Sequence, residues 1–244
     1  MMRTSNPALN EKVFTAIPYY GEKSMTIQGT VNKAAVLLGL AVITAAWIWN
    51  KAQQPQAAMP WILGGLLGGF AVAMVTIFKK NWSPVTAPLY AALEGLALGA
   101  ISAIFESQFP GIVFMAIMLT FGTLAALLVA YTSRLIKATE NFKLGVVAAT
   151  GGICLFYLAS IVMGFFGVSV PLLHSSGTFG ILFSVFVVVI AALNLVLDFD
   201  FIENGAATGA PKYMEWYAAF GLMVTLVWLY LEILRLLSKL QSRR

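Results

Sequence analysis

An all-α integral membrane protein, a bundle of seven transmembrane helices, is the fold this sequence predicts, on three observations. The composition is 60% hydrophobic and 10% charged over 244 residues, where a water-soluble domain carries about 25% charged residues. Seven apolar segments recur, each close to the roughly 20 residues that cross a bilayer. Lys and Arg gather in alternate connections, the asymmetry that orients membrane proteins. At a mean hydropathy of +0.86, too few polar side chains remain to cover a water-facing surface. A soluble enzyme, a nucleic-acid binder and a disordered chain are therefore excluded. The net charge of +5 reads as basic residues on the cytoplasmic side rather than as affinity for nucleic acid.

The elements follow in order. Residues 1–33 form a polar, mixed-charge segment, expected to be cytoplasmic. It lacks the apolar run of about 7–15 residues that a signal peptide needs, so insertion is expected to rely on the first spanning helix. Residues 34–240 hold the bundle, and 241–244 are a basic tail. The spans read as 34–50, 61–78, 86–105, 111–131, 144–168, 178–197 and 216–237. Connections are short, which leaves no room for a second domain. With the N-terminus inside, ten of the 15 basic residues fall on the inner side. The other five are Lys51 and, at or beyond the outer end of the last span, Arg235, Lys239, Arg243 and Arg244. Gly64, Gly65, Gly68 and Gly69 in the second span, and Gly95 and Gly99 in the third, have the spacing that lets membrane helices approach closely. They read as bundle packing. Trp47, Trp49, Trp61, Trp82, Trp216 and Tyr131 cluster at span ends as an interfacial belt. Cys154 is alone, so no intrachain disulfide forms, and its apolar surroundings predict a buried thiol.

Function is sought first among the acids, because an intramembrane carboxylate costs roughly 2.5–3.5 kcal/mol on insertion scales. Glu106, Glu140 and Glu215, with Glu11 and Glu22, fall where water can reach them. Glu94 does not: it lies in mid-span, in PLYAALEGLALGAIS, with no basic residue on that helix. It is either a protonated acid bonded to a neighbouring helix or part of an ion path. Asp198, Asp200 and Glu203 close the sixth span, in ALNLVLDFDFIENGA. On a continuing helix the two aspartates point about 160° apart, with one held inward and the other nearer the surface. Asn194 shares the face of Asp198, and Glu203 that of Asp200. Crowded carboxylates hold protons more tightly and titrate with shared values, so this group reads as a pH sensor. Glu232 has Arg235 three residues on, a local ion pair, and Thr225 lies on roughly the same face. His174 reads as an ordinary loop histidine. No nucleophile, metal-ligand or phosphate-cradling motif is present, so neither enzymatic activity nor a cofactor is expected.

The last third, LNLVLDFDFIENGA followed by EWYAAFGLMVTLVWLYLEILRLLSKL, resembles the Bax inhibitor-1/YccA family. SNPALNEKVF, MTIQGTVNKAAVLL and PLYAALEGLALGAIS resemble its bacterial branch. The resemblance implies six helices around a central seventh in a bacterial inner membrane. In calcium-leak members, an aspartate near the end of helix 6 and another in helix 7 share a proton and gate a pore by pH. Asp198 or Asp200 matches the first. Thr225 stands where the second would be, so Glu232 or Glu94 would have to substitute, and helices 2–5 carry no basic latch. The expected role is a pH-sensitive cation leak, with Asp198 and Asp200 as calcium contacts. The alternative, from other members, is a regulator that binds a membrane protease or stress-response complex. Oligomeric state is left open.

Overall fold

The computed structural model describes residues 24–167 and 177–243; residues 1–23, with Glu11 and Glu22, as well as His174 and Arg244, lie outside them. Among the described residues, seven long helices form: α1 (Ile27–Trp49), α2 (Pro55–Phe78), α3 (Ser83–Gln108), α4 (Ile112–Thr132), α5 (Glu140–Phe165), α6 (Thr178–Ala207) and α7 (Met214–Gln241). All seven are long and apolar enough to cross a membrane. The apolar runs thus mark the helices, but several helices extend past them.

Local chemistry explains the extensions. Thr26 caps α1, its hydroxyl accepting from Gly29 N–H at 3.0 Å, so the helix begins seven residues before the apolar run at 34. Thr139 caps α5 in the same way, accepting from Phe142 N–H, which brings Lys143 into the first turn. Such caps satisfy amide donors that a helix start leaves open. Pro55 starts α2, where its missing N–H costs nothing. The Glu106 carboxylate reaches over the turn to α4 and accepts from Gly111 and Val113 N–H at 2.6 and 3.1 Å. The sixth helix runs ten residues beyond the expected end at 197, so Asp198, Asp200 and Glu203 are helical. It stops at Gly209, whose φ of +69° suits glycine.

In α3 and α7, half of the most apolar stretch is buried, against 11–39% in the others. The central C-terminal helix therefore shares the interior with α3. The glycines of α2 and α3 do pack the bundle. A Cβ on Gly99 would come within 2.6 Å of the α1 backbone at Ala45, and one on Gly65 equally near the Leu93 carbonyl. Cys154, by contrast, is exposed on the outward face of α5 rather than buried.

Candidate functional site

One end of the bundle gathers Lys33, Lys80, Lys143 and Lys212. Lys33 and Lys212 pair with Glu215, Lys143 pairs with Asp200, and Lys80 lies over the Tyr217 ring. The expectation that Glu215 is solvated is overturned here. Its side chain is fully buried. Its carboxylate accepts from Thr26 N–H and hydroxyl, both at 2.9 Å, from Lys212 at 2.6 Å, and from Lys33. Gly29 leaves the space, since a Cβ there would collide with the carboxylate. A short antiparallel bridge, Ser24 with Pro211, and a bond from Met25 N–H to the Ala210 carbonyl at 2.7 Å complete this junction. The charge matching buried carboxylates require is met in full.

The three acids of α6 separate rather than forming one group. Asp200 pairs with Lys143 at 2.8 Å and accepts from Asn204 at 2.9 Å. Glu203 is exposed and accepts from the Tyr131 hydroxyl at 2.5 Å. Asp198 is the inward member. It faces α7 beside the Thr225 hydroxyl, with Oδ1 about 4.0 Å from where a Gly221 Cβ would stand. Its Oδ2 is buried and has no hydrogen-bond partner among the described residues. Asp198 and Asp200 are thus not brought together on one ion. Among the described residues, no three His, Cys, Asp or Glu side chains converge as a metal site.

Glu94 is buried between α3 and α2. Gly69 is what admits it: a Cβ there would lie 2.8 Å from its Oε2. One glycine of the α2 pattern therefore serves a carboxylate rather than backbone contact alone. Glu232 is buried and accepts from Arg235 at 3.0 Å, as its spacing predicts. It also accepts from Tyr157 of α5 at 2.8 Å, and Arg235 donates to that same hydroxyl at 2.8 Å. Beyond it, Lys239 is buried against Ser184 and the Gly180 carbonyl, at 2.9 and 3.1 Å. Asn194 donates to Thr150 and to the Ile190 carbonyl, not toward Asp198.

Two kinds of acid result. Glu215, Asp200 and Glu232 have cationic partners, whereas Asp198 and Glu94 have no ion-pair partner among the described residues. The first kind fastens helices. The second is held by no such pair. Sequence reasoning missed Lys143 and Tyr157. The Thr139 cap was the signal for Lys143; Tyr157, in an apolar run, gave none.

A family model described as Bax inhibitor 1 like matches residues 6–242. No curated protein and no solved structure matches the chain.

Proposed function

The chain belongs to the Bax inhibitor 1 like family, and on that premise we propose that it is a pH-sensitive cation leak pathway, with calcium as the expected ion and Asp198 as the protonation switch. The observation that carries this reading is the buried Asp198 oxygen without a donor, deep in α6 and facing the central helix. A carboxylate so placed is a functional suspect by its cost alone. Nine residues separate it from the end of α6 at Ala207, roughly 14 Å along the axis, well below the basic surface. Its partner on α7 is Thr225, the position where the family resemblance sets a second aspartate. A hydroxyl cannot share a proton between acids, so in this chain the switch is a single aspartate, with Glu94 as a second intramembrane carboxylate. Carboxylate oxygens are the ligands calcium prefers. The chain then acts as a transport protein, not an enzyme. The gathering of Lys33, Lys80, Lys143 and Lys212 at one end supports a bacterial inner membrane setting with that end cytoplasmic.

Full-length protein in liposomes loaded with a calcium dye tests the reading. Flux should rise from acid to mildly alkaline pH, as the proton leaves the switch. Asp198→Asn, which mimics the neutral acid, should flatten that dependence, while Asp200→Asn should keep it. Flux no greater than that of empty liposomes across this range would remove the leak. A pH profile altered by Glu94→Gln but not by Asp198→Asn would move the switch to α3.

A further inference from the structure

Two cavities lie between α1 and α4, helices that flank them without packing closely on one another. The first, about 760 Å³, opens at the basic end and is walled by α1, α4, α6 and α7. The second, about 510 Å³, lies deeper, over α3 and α7. Leu38 and Leu226 line both, so the two form one cleft. It follows α1 from Ile27 to Asn50, roughly 34 Å, comparable with the ~30 Å hydrocarbon thickness of a bilayer. Leu38 sits roughly 16 Å below Ile27, near the midplane. The basic-end cavity is therefore about one leaflet deep.

Its chemistry changes along its length. The rim carries Arg134 and Lys137, neither in an ion pair among the described residues. The acids at the same rim are engaged: Asp200 by Lys143, and Glu203 by Tyr131. Arg134 stands at φ +60°, just past the end of α4, where glycine would sit without strain. The chain keeps a guanidinium there instead. Below the rim the walls are apolar. The polar groups of the deep cavity bond one another, Ser102 with Tyr230 at 2.7 Å and Thr120 with its own Ala116 carbonyl at 2.7 Å. Apart from Trp49 and Asn50 at its far end, they leave a polar ligand or a peptide backbone nothing to pair with.

We infer that the basic-end cavity of this cleft is a lipid site, holding one acyl chain of an anionic phospholipid whose phosphate rests on Arg134 and Lys137. A basic pocket between membrane helices suits an acidic headgroup, and an apolar trough of leaflet depth suits its tail. The site is separate from Asp198, which faces α7.

Native mass spectrometry of the full chain, offered equal phosphatidylglycerol and phosphatidylcholine, tests it. The phosphatidylglycerol-bound peak should outlast the phosphatidylcholine-bound peak. R134A/K137A should abolish that preference, while K79A/K80A, which removes two exposed cations from the same end, should keep it. Leu38→Trp should lower retention of both lipids with the preference intact, and unchanged circular dichroism would show that the bundle still folds. Equal retention of the two lipids by the unmodified chain, loss of preference in K79A/K80A to the same degree, or a dimer peak that displaces lipid would overturn the assignment.

Discussion

Glu215 and Asp198 are both intramembrane-helix carboxylates shielded from solvent, and they have opposite surroundings. Glu215 meets two lysines and both donors of Thr26. Asp198 has one oxygen that meets no donor. A buried charge with cationic partners is structural, and losing a partner is costly. A buried acid without them fastens nothing, and ionising it is costly. The difference separates acids that fasten helices from one that does not, within one bundle.

The largest effect should come from breaking the satisfied acid. Glu215→Gln strands Lys33 and Lys212 at a buried junction. Both lysines keep partial access to water, so the loss should sit near the low end of the range, about 3 kcal/mol. Thermal unfolding in detergent reads it; a melting temperature equal to the unmodified protein would erase the contrast. Next is Gly69→Ala, which crowds Glu94 and should cost about 1–3 kcal/mol through overpacking. Adding Glu94→Ala should recover part of that loss, and a double-mutant cycle with no coupling would show that the glycine serves only the helix backbones. Asp198→Asn should stay within about 1 kcal/mol of the unmodified chain, because it sacrifices no bond of the unpartnered oxygen, while its flux loses pH dependence. A melting temperature depressed as far as in Glu215→Gln would make Asp198 a fastener too. The smallest effect is Lys143→Met, which removes the partly exposed pair with Asp200 and should cost about 0.5 kcal/mol. Equal melting curves in low and high salt would show that this pair contributes nothing.

The spans were legible because apolar runs of bilayer length have few other uses, and the i, i+2 geometry already set Asp198 and Asp200 on different faces. Which one points inward was not legible. It depends on how α6 is rotated against α7, and an α6 apolar nearly all round does not encode that rotation. Glu215 was misread for a different reason. Lys212 is three residues away, but Thr26 and Lys33 are 189 and 182 residues distant, so no local window contains the pocket that buries it. Helix starts were missed by several residues because Thr26 and Thr139 extend helices into polar sequence. Cys154 was assigned to the interior because an apolar run in lipid looks the same on its inner and outer faces.

The Thr26–Lys33–Glu215 junction also bears on the order of assembly. Ribosomes deliver α1 first and α7 last, yet the acceptor for the Thr26 hydroxyl and the Lys33 ammonium is carried at the start of α7. Through nearly all of synthesis, then, the N-terminal end of α1 lacks the carboxylate it docks on. Arrival of Glu215, flanked by Lys212, closes the ring between the oldest and newest parts of the chain. A nascent protein halted before residue 215 would hold six inserted helices and an unlatched first one. Until then the Lys33 ammonium and the Thr26 donors lack the acceptor that the last helix brings.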